Sequence, residues 1–116
     1  MGGQMPWVTG TTRIFGTIAN PADHVRAPMV FNPLFAERGL DHVMVPITAA
    51  PENLAAVIDG LRGIRNFGGM AVTIPHKMEL AAMCDTLGPT AQLTGAVNAV
   101  RFDPDGTLHG LSLIHI

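Results

Sequence analysis

Apolar residues in this chain fall into short bounded runs separated by stretches with helical spacing. Residues 70–74 (Met-Ala-Val-Thr-Ile) form an apolar run in which Thr73 is the only polar member, with Gly68 and Gly69 in front and Pro75 behind. A run this short, bounded by Gly and Pro, predicts an interior strand of a parallel sheet. Pro75 has no N–H to give a ladder, and its fixed φ suits a helix start. Met78-Glu79-Leu80-Ala81-Ala82-Met83 then supplies helix formers for a helix over about residues 76–84.

The rest of the pattern is consistent with that unit. Residues 12–19 predict a first strand with Ile14 and Ile18 facing the core, and Asn20-Pro21 marks the turn after it. Pro28 opens a helix whose apolar side is Met29, Phe31, Leu34 and Phe35 and which Gly39 closes. Pro33 must then sit in the first turn or kink that helix. Residues 41–47 predict a second strand, and Pro46 puts it near a sheet edge or at its own end. Leu54, Val57, Ile58 and Leu61 recur at i, i+3, i+4 and i+7, the clearest amphipathic helix in the chain, begun by residues 48–52 and ended near Gly63. Residues 85–93 read as a loop with a short helical turn, and residues 95–102 as a fourth strand. Asp103-Pro104-Asp105-Gly106 reads as a turn, with residues 107–109 as its short hairpin return. The β-α-β-α-β-α-β alternation predicts an α/β fold: an open, mostly parallel sheet flanked by helices.

Composition narrows the function classes. At 116 residues and 47% hydrophobic, the chain suits one soluble domain. The net charge is −2 and no basic run exists to neutralise a row of phosphates, so nucleic acid is not an expected partner. No apolar stretch approaches a membrane span, and the first residues lack the charged-then-apolar pattern of a secretory signal. Cys84 is the only cysteine, on a helix read as core-facing, so no disulfide framework forms and a reducing, cytoplasmic setting is expected. The five histidines have no metal-site spacing, and no metal is expected.

Three polar groups interrupt or follow apolar strands near their ends: Thr73, Asn98 and Lys77. Lys77 falls in the first turn of a helix at the carboxyl end of a strand, where open α/β sheets place ligands. The helix dipole there disfavours the ammonium form, which suits a general acid/base. The plainer alternatives are a solvated lysine, a strand threonine and a backbone-capping asparagine. Together, a hydroxyl, a carboxamide and an amine suit a small polyhydroxylated ligand, if the strand of Asn98 neighbours that of Thr73.

Ala71-Val72-Thr73-Ile74-Pro75-His76-Lys77 and Gly95-Ala96-Val97-Asn98-Ala99-Val100 resemble two signature segments of the shikimate/quinate dehydrogenase family. Phe15-Gly16 through Asn20-Pro21 to Pro28 resembles its N-terminal ligand loop, and the resemblance runs over about residues 12–110. It implies the substrate-binding lobe of a two-lobe enzyme whose other lobe holds a nicotinamide cofactor, NADP or NAD. It implies that Lys77 is the catalytic acid/base, that Thr73 and Asn98 hold hydroxyls of a cyclic hydroxy acid, and that the intact enzyme could be a homodimer. Residues 1–11 then read as a flexible lead-in, 12–110 as the substrate-binding domain and 111–116 as an atypical tail.

Two departures stand out. Where the family pattern offers a pair of serines for the substrate carboxylate, this chain has Val25 and Ala27 flanking Arg26. A guanidinium presents a fork of donors to a carboxylate, so Arg26 becomes the candidate grip, and shikimate gives way to shikimate or a related acid. After Gly110 the family's aspartate partner of the lysine would fall near Ile114, and no Gly-x-Gly-x-x-Gly follows. By itself the chain is thus expected to bind no dinucleotide and to lack dehydrogenase activity. The alternatives are a stand-alone binding module without chemistry and a non-catalytic scaffold half.

Overall fold

The computed structural model describes residues 8–112. Its elements run β1 (Arg13–Ala19), α1 (Ala27–Glu37), β2 (His42–Thr48), a 3-10 turn (Pro51–Asn53), α2 (Leu54–Arg62), β3 (Phe67–Val72), α3 (Lys77–Met83), β4 (Thr86–Leu87), α4 (Pro89–Thr94), β5 (Ala99–Phe102) and β6 (Leu108–Leu111). The strands form a six-stranded sheet in the order β2-β1-β3-β5-β6-β4. β1 pairs in parallel with both β2 and β3, and β4 with β6, whereas β5 is antiparallel to β3 and β6. The expected α/β class, a mostly parallel sheet flanked by helices, is what forms. Among the described residues, no helix is long and apolar enough to cross a membrane.

Side-chain alternation gives the sheet two unlike faces. Ile18, Met70, Val72, Val100 and Leu108 join Leu54 and Ile58 of α2, Leu80 and Ala81 of α3, and Ala91 of α4 in the core. The periodic helix behaves as its spacing predicts: Leu54 and Ile58 are buried, with Val57 and Leu61 packed against the same cluster. On the other face α1 covers only the β1–β2 side, where the Phe15 and Phe35 rings lie 5.9 Å apart. None of its residues is buried, and Met29 stays 76% exposed, because α1 meets one flank of its face rather than the middle. Pro33 lies inside α1, beyond its first turn.

β2 is an edge strand, which explains how it tolerates Pro46. Asn32 of α1 covers part of that edge. Its amide donates to the Met44 carbonyl at 2.9 Å, and its carbonyl accepts the Met44 N–H at 2.7 Å, completing a backbone unit that would otherwise lack a neighbour.

Several boundaries differ from the pattern reading. β3 begins at Phe67 and ends at Val72, so Gly68 and Gly69 lie within it and Thr73 just beyond. The glycines are there for closeness: a Cβ on Gly69 would sit 2.6 Å from the Val100 carbonyl oxygen. β5 begins at Ala99, leaving Asn98 immediately before it. β6 runs through Leu111, two residues past the expected return. The unexpected β4 is held to β6 by backbone bonds, from the Asp85 N–H to the Leu108 carbonyl at 2.8 Å and from the Gly88 N–H to the Gly110 carbonyl at 2.9 Å, and by side chains: the Thr86 hydroxyl meets His109 Nδ1 at 2.5 Å, and the Asp85 carboxylate accepts the Leu108 N–H at 2.7 Å. Cys84 lies just past α3, half-buried against the core, and burial pushes its thiol up. Of the stretch read as a lead-in, residues 8–11 are described, and there the hydroxyls of Thr11 and the next residue, Thr12, both donate to Asp41. Residues 1–7 and 113–116, including the position of Ile114, lie outside the described residues.

Arg62 joins α2 to the far half of the sheet. Its guanidinium donates to the carbonyls of Gly106 and Met83 at 2.8 and 2.9 Å and to Asp85 at 3.3 Å. The Leu108 N–H first, and then Arg62, hold the Asp85 carboxyl below the usual carboxylate range. A carboxyl so lowered stabilises the fold above its unfolded value, near 3.9, and stops doing so as the pH falls through its folded value. Asp85→Asn should therefore weaken the protein at pH 7, with the gap closing towards pH 3; urea unfolding at both pH values reads this, and an equal gap at both rejects it. Ile58→Ala, which empties a fully buried site, should cost about 3 kcal/mol in the same assay.

Candidate functional site

The order β2-β1-β3 means that the chain leaves β1 towards one side and returns, after β2, on the other. Loops following β1 and β3 then diverge and leave a crevice at the carboxyl ends of the strands, where sheets of this kind bind ligands. The loop after β1 carries Arg26, the N-cap of α1, whose carbonyl accepts the Met29 N–H at 3.0 Å. The loop after β3 carries Thr73 and leads into α3, of which Lys77 is the first residue.

Thr73 and Arg26 meet in one cleft. It measures about 240 Å³ and is lined by Thr17, Val25, Arg26, Ala27, Ala71, Val72 and Thr73. The Thr17 hydroxyl is turned to Met44 Sδ at 3.2 Å, which leaves Arg26 and Thr73 as the outward polar groups of that lining. Lys77 lines a second cleft of about 310 Å³ with Ile74, Pro75, Met78 and Ala96. The two clefts are adjacent through the Thr73-Ile74-Pro75 turn. Asn98 lines neither, but the backbone ties it to both: the Val72 N–H donates to the Asn98 carbonyl at 2.9 Å, and the Val97 N–H donates to the Lys77 carbonyl at 3.0 Å. Of the four sequence-derived candidates, Arg26 and Thr73 thus share one hollow, Lys77 lines the next, and Asn98 lines neither and is tied to them through the backbone.

Neither cleft is lined by an Asp or Glu, and neither Arg26 nor Lys77 forms an ion pair with a described residue. An anion is the complementary ligand for two such cations. A guanidinium, an amine and a hydroxyl in adjacent small hollows suit a compact, hydroxylated acid. No group of three or more His, Cys, Asp or Glu able to hold a metal occurs among the described residues. The turns after β1 and β3, Asn20-Pro21 and Ile74-Pro75, offer no glycine-rich cradle to a pyrophosphate, so these residues do not fit a dinucleotide.

Sequence reasoning missed His76. It is fully buried, with Nε2 2.8 Å from the Ala49 carbonyl oxygen. A histidine between a proline and a lysine in a turn reads as exposed, and nothing local signals that its ring reaches the end of β2.

Comparison with known proteins identifies the family. Residues 17–100 match the family described as the shikimate dehydrogenase substrate binding domain. The shikimate dehydrogenase (NADP(+)) of Rubrobacter xylanophilus is 40% identical over 108 residues, 93% of this chain and 38% of that protein. That of Methanothermobacter thermautotrophicus is 41% identical over 103 residues, 89% of this chain and 36% of the relative. A shikimate dehydrogenase crystallised with NADP+ superposes with a TM-score of 0.85 at 37% identity, over 90% of this chain and 36% of its own. The Listeria monocytogenes shikimate 5-dehydrogenase, crystallised with shikimate and NAD, gives 0.84 at 38% identity, over 90% of this chain and 35% of its own. The chain therefore spans a little over a third of the length of the relatives it matches.

Proposed function

The chain belongs to the shikimate dehydrogenase substrate-binding domain family, and from that premise we propose that it is the substrate-holding lobe of an NADP(H)-dependent dehydrogenase acting on shikimate or a related cyclic hydroxy acid. The observation that supports this reading is the cleft shared by Arg26 and Thr73, with Lys77 lining a second cleft across the Ile74-Pro75 turn and no acidic side chain in either lining. Family membership favours it over a module that binds without chemistry.

In this reading Arg26 grips the carboxylate, since Val25 and Ala27 beside it have no side-chain donor. The Thr73 hydroxyl and the Asn98 carboxamide orient ring hydroxyls. Lys77 takes the proton from the ring hydroxyl as that oxygen becomes a carbonyl, and returns it in the reverse direction. The nicotinamide, which would exchange hydride with the ring carbon, is assigned to residues outside this chain, and NADP is favoured because the relatives named above are NADP(+) enzymes. The lone thiol of Cys84 and the reaction class suit a cytoplasmic setting.

Shikimate titrated into the 116-residue chain should bind, and Arg26→Ala should weaken that binding by about tenfold or more, the worth of a lost charge-assisted hydrogen bond. Added salt should weaken the wild type more than the variant. Equal affinities for the two proteins would reject the carboxylate grip. The same chain alone should give no NADP+ reduction with shikimate. In a protein that joins it to a dinucleotide-binding lobe, Lys77→Ala should lower kcat by about a hundredfold or more with little change in KM. An unchanged kcat would remove Lys77 from the chemistry.

A further inference from the structure

His76 is 0% exposed, although Pro75 and Lys77 on either side of it are exposed. A carbonyl oxygen can only accept, so the nitrogen that faces Ala49, Nε2, carries the hydrogen. Nδ1 has no hydrogen-bond partner among the described residues. Burying an imidazole for one hydrogen bond is a poor way to fill a core, because the unpaired nitrogen is desolvated without return. What the one bond joins is therefore the relevant fact.

It joins the turn after β3 to the end of β2. The Ala49 N–H in turn donates to the carbonyl of Ala19, the last residue of β1, at 3.1 Å. The preceding residue, Thr48, accepts the Ala22 N–H on its hydroxyl at 2.9 Å. The Ala22 carbonyl accepts the Val25 N–H at 3.4 Å, one residue before Arg26. A path of three hydrogen bonds, linked through the Thr48-Ala49 peptide and the Ala22 backbone, thus runs from the residue before Lys77 to the residue before Arg26. Backbone bonds also fasten the turn, from the Thr73 N–H to the Ile18 carbonyl at 3.1 Å and from the Asn20 N–H, at the start of the Arg26 loop, to the Ile74 carbonyl at 3.4 Å; the second is longer than an ordinary N–H···O bond, and both hold the turn ahead of His76.

We infer that His76 is a positioning residue that sets the span between Lys77 and Arg26 through Ala49 and Thr48. The inference rests on the proposed roles of those two cations, and deepens them: the proton exchanger and the carboxylate grip are registered against each other by a residue that lines neither cleft.

Methionine and glutamine have nearly the same shape and flexibility, and only glutamine carries an N–H for the Ala49 carbonyl. Two measurements on the 116-residue chain separate the possibilities: amide hydrogen exchange at Ala22 and Val97, and NMR titration with shikimate. His76→Met should speed exchange at Ala22 and Val97 by about tenfold and weaken shikimate binding by a similar factor, while the Asp103 amide in the distant β5–β6 turn is unmoved. His76→Gln should bring both back to within about threefold of wild type. If Met and Gln behave alike, or if His76→Met lowers the melting temperature while exchange at Ala22 and Val97 and shikimate affinity hold, the inference is overturned. Exchange decides the role of His76; failure of the wild type to bind shikimate instead sinks the proposed function.

Discussion

The carboxyl end of β3 is fastened on both sides, and the site depends on that. The Thr73 N–H reaches back to the Ile18 carbonyl in β1 at 3.1 Å, and the Val72 N–H reaches across to Asn98, just before β5, at 2.9 Å. These bonds exist because β3 is parallel to one neighbour and antiparallel to the other. A parallel neighbour brings its own carboxyl end, and the loop after β1, to the end of β3. An antiparallel neighbour brings its amino end instead, and with it the residue that precedes the strand. Had β5 run parallel to β3, Asn98 would lie at the opposite rim of the sheet, roughly the length of the strand away, at about 3.3 Å per residue. One reversed strand in a mostly parallel sheet is what brings the backbone of Asn98 to the end of β3.

That reversal marks the boundary of what could be read from the sequence. Leu54, Val57, Ile58 and Leu61 announce a helix because its period is local, and Pro46 announces an edge because a missing N–H is intolerable elsewhere. The Asp-Gly turn gives the β5–β6 hairpin for the same reason: Gly106 adopts φ 87°, which other residues rarely do. Thr73 and Lys77 were visible because a polar residue in an apolar run, followed by proline and a helix former, states its own position. What was not legible depends on partners distant in sequence. Gly68 and Gly69 look like a strand's preface, and only the Val100 backbone and the Phe15 ring pressing on them explain why they belong inside it. β4 has two residues and no pattern; it exists because backbone bonds from Asp85 and Gly88 on either side of it reach β6, aided by the Thr86–His109 and Asp85–Leu108 side-chain contacts.

α1 illustrates the limit from the other direction. Its apolar side reads like that of a core helix, yet no residue of it is buried. A hydrophobic pattern states that a face prefers cover; it does not state how much cover the sheet supplies. Phe35 and Phe15 meet, with His42 edge-on to both at 5.3 and 5.1 Å, while Met29 and Val30 remain in solvent. The helix is fixed less by burial than by Asn32, whose two hydrogen bonds to Met44 dock it on the sheet edge. Its N-terminus, and so Arg26, is thereby placed by a polar contact two turns along the helix.

The exchange of two hydroxyl donors for one guanidinium, read from Val25, Arg26 and Ala27, then has a physical meaning within the proposed function. Short hydroxyl side chains would hold a carboxylate at the floor of the cleft and fix its depth. Arg26 is exposed, long and forked, so it meets an anion at the mouth, while Val25, Ala27 and Ala71 present methyl groups to whatever ring lies behind it. A grip of that kind works at longer reach and in higher dielectric, which makes it more tolerant of ring substitution and more sensitive to ionic strength than a pair of buried hydroxyls. Selectivity among hydroxylated acids would accordingly fall to the groups that cannot move: Thr73, pinned through its own N–H to β1, and Asn98, pinned through its carbonyl to β3. The rigid backbone network at the end of β3 then matters more for recognising the ring than the charge that draws the ring in.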